Sequence, residues 1–300
     1  MNERTTTTLD DISTIGVIGA GQMGHGIAQV LAMAGWQVLL VDMTDSLLTA
    51  AVQHIAAGVK KAVEKGHLSR THEEAVMGRI HPSRQLESLR DAQVVIEAIP
   101  EDRDRKQSLF ARLGQICPGS ALLASNTSSI SIAGLGMASG RPDRTMGLHF
   151  MNPVPAMRLV EVVRTIQTAD PTLQLALALV HRLGKTAVVC KDSPGFIVNR
   201  ILMPMINEAV YALEEGVASA EAIDLAMVEG TNQPMGPLAL ADRIGLDTVL
   251  AICEVLHQDL ADPKFKPCPL LRTYVQHGRL GRKSGQGFYL YGAQPAVTQV

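Results

Sequence analysis

Between Ile15 and Cys190 the chain repeats one pattern: a short, unbroken run of β-branched and aliphatic residues, then a longer stretch with helical spacing of apolar positions. Runs at 15–19, 38–42, 94–99, 121–125, 145–150, 159–163 and 187–190 predict strands. They lack the polar alternation of a half-exposed sheet, which predicts that helices cover both faces. Strands that alternate with helices predict a doubly wound, mostly parallel α/β sheet. A long helical insert, 46–65 and then about 71–77, separates the second and third of these strands. It reads as a lid or a substrate arm.

After Cys190 the pattern changes. The cluster Lys191-Asp192-Ser193-Pro194-Gly195 is a turn signal, and helical periodicity then dominates at 198–215, 220–228 and 238–256, with a loop over 231–237. The expected division is an α/β domain over 12–191 and an all-α C-terminal domain over 192–300. The first helix of the second domain carries Ile201, Leu202, Met203, Met205, Ile206, Ala209, Val210, Ala212 and Leu213, apolar nearly all round. Such a helix is expected to be buried, here in a subunit interface, so a homodimer is predicted.

Composition narrows the function classes. The chain has 300 residues, 46% of them hydrophobic and 19% charged, enough for a large core. A formal net charge of −2 offers no basic footprint, so neither nucleic acid nor an anionic membrane surface is an expected partner. The first eleven residues are polar and expected to be frayed, without the apolar stretch of a secretory signal. No apolar run reaches the ~18–20 residues of a membrane span, so a cytoplasmic location is expected. The four cysteines lie far apart without a CxxC pair, which reads as buried or incidental thiols.

The first candidate chemistry is Gly19-Ala20-Gly21-Gln22-Met23-Gly24. A bare GxGxxG is weak, but this one follows an apolar strand and opens a helix. A second strand ends in Asp42, 18 residues after Gly24. That is the Rossmann-type fingerprint: Gly19 for the tight turn, Gly21 for approach of a pyrophosphate and Gly24 for close helix–strand packing. Asp42 would accept hydrogen bonds from a ribose and repel a 2′-phosphate, and no basic residue follows it before Lys60. NAD is therefore the expected cofactor. Asp42 also reads as a helix N-cap, a role its neighbours can fill.

The second is His149, at the C-terminal end of a strand, the edge where open α/β sheets hold ligands. Glu161 sits inside the apolar run 159–163, and a buried carboxylate needs a partner. Pairing with His149 would fix one imidazole nitrogen and leave the other for proton transfer. Pairing with Arg158 or Arg164 is open on the local sequence alone.

Taken with Ser125-Asn126-Thr127-Ser128-Ser129, the stretches 194–200 and 230–237 and Gly281-Arg282-Lys283-Ser284-Gly285-Gln286-Gly287-Phe288-Tyr289, these motifs resemble the L-3-hydroxyacyl-CoA dehydrogenase family, in its bacterial 3-hydroxybutyryl-CoA branch, over nearly the whole chain. The resemblance implies an NAD-dependent oxidoreductase of fatty-acid metabolism with an acyl-CoA substrate. It implies His149 as general acid/base, Glu161 as its orienting carboxylate, and Ser128 and Asn199 as the groups that hold the substrate oxygen. It places Glu101, Lys106 and Asn152 at NAD and the insert at CoA, with Lys60, Lys61 and Lys65 toward its phosphates. Read locally, Ser128 also fits a strand-end turn, Asn199 a helix start, and Glu101 and Lys106 a solvated helix face. A free hydroxy acid as substrate, or a non-catalytic NAD-binding protein, are the competing readings. The family often has a hydroxyl or amide side chain where this chain has Gly58, and His and Glu where it has Gln233 and Ala239.

Overall fold

A computed structural model describes residues 8–66 and 68–292, with the side chain of Arg70 outside that description. The chain divides into two compact units, the first ending at Ser193 and the second beginning at Pro194. Of the N-terminal segment expected to be frayed, residues 1–7 lie outside the described residues, while Leu9–Asp11 form one 3-10 turn. There the Asp11 carboxylate accepts from the Thr8 backbone N–H at 2.8 Å and from its hydroxyl at 2.7 Å.

The first unit is one eight-stranded sheet. Its strands are β1 (Thr14–Ile18), β2 (Gln37–Val41), β3 (Ile80–Ser83), β4 (Val94–Glu97), β5 (Leu122–Ser125), β6 (Thr145–Phe150), β7 (Leu159–Arg164) and β8 (Thr186–Lys191), in spatial order β3-β2-β1-β4-β5-β6-β7-β8. The order reverses between β1 and β4, so the crevice above their C-terminal ends is the switch point where such sheets bind ligands. The helices are α1 (Gln22–Met33), α2 (Asp45–Glu64), α3 (Arg70–Met77), α4 (Arg103–Ile116), α5 (Ile132–Ser139) and α6 (Asp170–Arg182). Ile15, Val17, Ile27, Leu31, Val38, Ile55, Ile96 and Leu148 are all fully buried between sheet and helices. Each such side chain contributes roughly 1.5–3 kcal/mol.

Strand β3 was not expected. Its four residues, Ile-His-Pro-Ser, include Pro82 and bury only Ile80, too little apolar pattern to read as a strand. Proline is tolerated because β3 stands at the sheet edge. Strand β7 runs antiparallel to β6, since the connection between them holds no crossover helix, and the other neighbouring pairs are parallel.

The second unit is helical: α7 (Val198–Glu214), α8 (Ala220–Thr231), α9 (Pro237–Ile244), α10 (Leu246–Leu260) and α11 (Pro269–Gln276). The single helix expected over 238–256 is broken at Gly245, whose φ of 105° lies outside helical space. Within this unit α7 is buried on one side only. It buries Met203, Ile206, Asn207, Ala209 and Val210 as one stripe, while Ile201 is 67% exposed.

The glycine-rich segment 281–289 has a structural task here. Asp242 of α9, 1% exposed, accepts from the backbone N–H groups of Phe288 at 2.9 Å and Tyr289 at 3.0 Å and from the Tyr291 hydroxyl at 3.0 Å. A Cβ at Gly287 would lie 1.9 Å from Asp242 Oδ1, so only glycine lets the segment close on that carboxylate.

Candidate active site

The glycine-rich loop leaves the C-terminal end of β1 and becomes the first turn of α1, with Gly21 at the N-cap. Gly19 has φ 99°, and a Cβ at Gly24 would lie 1.6 Å from the carbonyl oxygen of Gly19, so these two glycines let the helix pack onto the loop. A Cβ at Gly21 would meet nothing within 4 Å. The backbone there is open to solvent at a helix N-terminus, the geometry that receives a pyrophosphate. Asp42, just past β2, binds across to this loop. Its Oδ2 accepts from the Ala20 backbone N–H at 2.7 Å and its Oδ1 from Met43 N–H at 2.6 Å, which fixes the carboxylate beside the cofactor loop. The donor set and the open cradle fit a dinucleotide with a free ribose 2′-hydroxyl. His25, one turn into α1, stacks on His54 of α2 at 5.0 Å. Burial and then the neighbouring His54 hold its pKa below the ordinary histidine value.

Glu101 and Lys106 form no solvated helix face. Lys106 is 1% exposed, its ammonium 2.7 Å from Glu97 Oε1 and 3.0 Å from Glu101 Oε2. Glu101 Oε1 in turn accepts from the backbone N–H groups of Ser128 and Ser129, each at 3.1 Å, from the Ser129 hydroxyl at 3.0 Å, and from the Thr127 hydroxyl. Burial would raise the Glu101 pKa, but the Lys106 charge and these hydrogen bonds outweigh it and hold the carboxyl below the usual range. Ser128 is thus on a turn whose backbone is tied to a carboxylate, half-buried beyond the end of β5. Asn126 closes the same region, its Oδ1 accepting from Phe150 N–H at 2.8 Å.

His149 and Glu161 are register partners across the antiparallel β6–β7 pair. Nδ1 of the imidazole donates to Glu161 Oε2 at 2.7 Å, with Glu161 fully buried and His149 nearly so. The partner left open by the sequence is the histidine. Asn152 lies on the exposed turn after β6. Asn199 is carried by the second unit, in the first turn of α7. Lys60, Lys61 and Lys65 are exposed at the C-terminal end of α2. Gly58 has a steric reason: a Cβ there would come within 2.4 Å of Gln29 Oε1, on the buried side of α1.

Sequence reasoning missed Glu97. It lies in the apolar run 94–99, the same signal of a buried carboxylate that marked Glu161, and the structure shows it fully buried.

Comparison with known proteins reaches the same region. Residues 14–193 match the family model of the 3-hydroxyacyl-CoA dehydrogenase NAD binding domain, and residues 195–291 that of the 3-hydroxyacyl-CoA dehydrogenase C-terminal domain. The chain is 54% identical to a probable 3-hydroxybutyryl-CoA dehydrogenase of Deinococcus radiodurans, over 92% of this chain and 99% of that one. It is 49% identical to a 3-hydroxybutyryl-CoA dehydrogenase of Bradyrhizobium diazoefficiens, over 96% and 99%. The crystal structure of (S)-3-hydroxybutyryl-CoA dehydrogenase from Ralstonia eutropha superposes with a TM-score of 0.91 at 46% identity, covering 94% of this chain and all of the other. Two family models in tandem, a cofactor loop that accepts NAD and a buried histidine–carboxylate pair at the same sheet edge agree: the chain belongs to the 3-hydroxyacyl-CoA dehydrogenase family and is an NAD-dependent oxidoreductase.

Proposed function

We propose that the chain catalyses the reversible oxidation of a (3S)-3-hydroxyacyl-CoA to the 3-oxoacyl-CoA, with short acyl groups such as 3-hydroxybutyryl preferred, and that His149 exchanges the proton. The observation that carries this reading is the 2.7 Å bond from His149 Nδ1 to the buried Glu161. NAD, when bound, supplies the hydride acceptor. Gly19, Gly21 and Gly24 would admit its pyrophosphate and Asp42 its adenosine ribose, with Glu101 and Asn152 on the cofactor side and Lys106 buried behind Glu101.

Glu161 fixes which imidazole nitrogen carries hydrogen, so proton exchange falls to Nε2. In oxidation the neutral ring takes the hydroxyl proton, and the buried carboxylate stabilises the imidazolium that results. In reduction the imidazolium returns the proton to the carbonyl oxygen. Ser128 holds that oxygen in both directions, which orients the carbon it is bonded to. Lys60, Lys61 and Lys65 attract the CoA phosphates from the end of α2. The protein acts as a homodimer joined through its second unit, and among the described residues no helix is long and apolar enough to cross a membrane.

Initial rates of NADH oxidation with acetoacetyl-CoA, free acetoacetate and a series of longer 3-oxoacyl-CoAs test the reading. Acetoacetyl-CoA is expected to be the best of these substrates. Turnover of free acetoacetate at a comparable rate would move the assignment to a dehydrogenase of free hydroxy acids. Absence of turnover with every acyl-CoA would make the chain a non-catalytic NAD binder.

A further inference from the structure

Glu97 takes no part in the proton chemistry above, and its burial calls for another account. It ends β4 and is register partner of Ser125, which ends β5. Its Oε1 accepts from Lys106 Nζ at 2.7 Å and from the Ile99 backbone N–H at 2.7 Å, and its Oε2 accepts from the Ser125 hydroxyl at 2.6 Å. One carboxylate therefore joins the ends of two parallel strands to the first turn of α4.

Two routes lead from it to the same turn. Lys106 carries the first, since its ammonium also meets Glu101 Oε2 at 3.0 Å, and Glu101 Oε1 gathers the backbone N–H groups of Ser128 and Ser129. Ser125 carries the second, because its hydroxyl oxygen accepts from Thr127 N–H at 3.1 Å. The Lys106 ammonium is buried between two carboxylates, one wholly interior and one at the surface. With the interior one neutral, Coulomb attraction draws Lys106 toward Glu101 alone, and Glu101 is the group that orders the Ser128 turn.

We propose that Glu97 is a positioning residue for the reaction: through Lys106 and Ser125 it sets where Glu101 stands, and so where Ser128 presents its hydroxyl to the substrate oxygen. This rests on the role given to Ser128 above.

A double-mutant cycle with amide hydrogen exchange tests it on the purified full chain. Glu97→Gln keeps size and shape and removes the charge. It is expected to lower kcat for acetoacetyl-CoA reduction by about 10- to 100-fold, the scale of a slight misplacement of reacting groups, with KM changed by less than about threefold. In a Lys106→Met background, where the main route is already cut, the same substitution is expected to cost less than about threefold. Exchange at the Ser128 and Ser129 amides is expected to rise about tenfold in Glu97→Gln while the amides of β4 and β5 keep their protection. If Glu97→Gln folds poorly, the neutralised pair Glu97→Gln/Lys106→Gln leaves the cluster's net charge unchanged, and it too is expected to exchange faster at Ser128 and Ser129. Losses that add across the cycle, or unaltered exchange at that turn, would overturn the proposal. The exchange measurement requires no turnover. An unmutated protein inactive on every 3-oxoacyl-CoA sinks the reaction assignment, and unaltered exchange sinks this one.

Discussion

His149 and Glu161 face one another across β6 and β7, with Nδ1 and Oε2 2.7 Å apart in a region almost closed to water. In the role proposed for His149, oxidation of the alcohol would use the neutral imidazole and reduction of the ketone the imidazolium, so the two directions are expected to respond oppositely to pH. Oxidation falls toward acid and reduction toward alkali. His149→Gln is expected to lower turnover about 10²- to 10⁴-fold in both directions while NADH binding, followed by fluorescence, is kept. Glu161→Gln is expected to impair turnover as well, because the amide loses the charge and no longer selects the tautomer. A His149→Gln protein that keeps most of its activity, or loses NADH binding with it, would remove the histidine from its assigned role.

Asp42 predicts cofactor choice. Its carboxylate is fixed by Ala20 and Met43 N–H beside the glycine loop, where it would repel a 2′-phosphate. NAD is expected to be preferred strongly to NADP in kcat/KM, and Asp42→Ala is expected to narrow the difference. Equal efficiency with the two cofactors in the unmutated protein contradicts this.

The second unit predicts assembly. Ile201, Val217 and Leu225 are 67%, 71% and 61% exposed. Isolated apolar side chains at a surface are ordinary, but α7 adds an apolar composition that exceeds its buried stripe. Light scattering is expected to give twice the chain mass at micromolar concentration. A stable monomer, or an Ile201→Glu variant that remains fully dimeric, speaks against this surface.

The Asp242 cluster predicts alkaline behaviour. Burial first, then the hydrogen bond to Asp242 and its negative charge, push the Tyr291 hydroxyl up to about 12, while burial and then the hydrogen bond to Asp224 and its charge raise Tyr289. A tyrosine whose folded pKa lies above its unfolded value of ~10 stabilises the fold fully below that value. The contribution is lost as pH rises through the folded pKa. Stability toward urea is expected to weaken between pH ~10 and about 12, and Tyr291→Phe is expected to remove part of that dependence, with the rest left on Tyr289. Asp242→Ala leaves two backbone donors and a hydroxyl unpaired and is expected to cost about 3 kcal/mol or more at neutral pH.

Seven strands, the glycine loop with Asp42 beside it and a histidine at a strand end were legible from the sequence alone, because each rests on local pattern. Period and run length decide an element, and a glycine fingerprint is a short backbone requirement. What pairs with what was not legible. The 159–163 run announced a buried carboxylate but left His149, Arg158 and Arg164 as its possible partners. The antiparallel turn of β7 against β6 decided for the histidine by placing Glu161 directly opposite it. Glu101 and Lys106 read equally well as wet residues of a helix, and Lys106 proved buried only because Glu97 and Glu101 close on it. Strand β3 was hidden by Pro82 and exists because β2 offered it an edge. The break at Gly245 follows from a backbone conformation that no hydrophobic period records. The sequence determined the elements and the kinds of chemistry along them. The tertiary structure alone decided the partners, because the field and the hydrogen bonds that tune a buried charge come from residues distant in the chain.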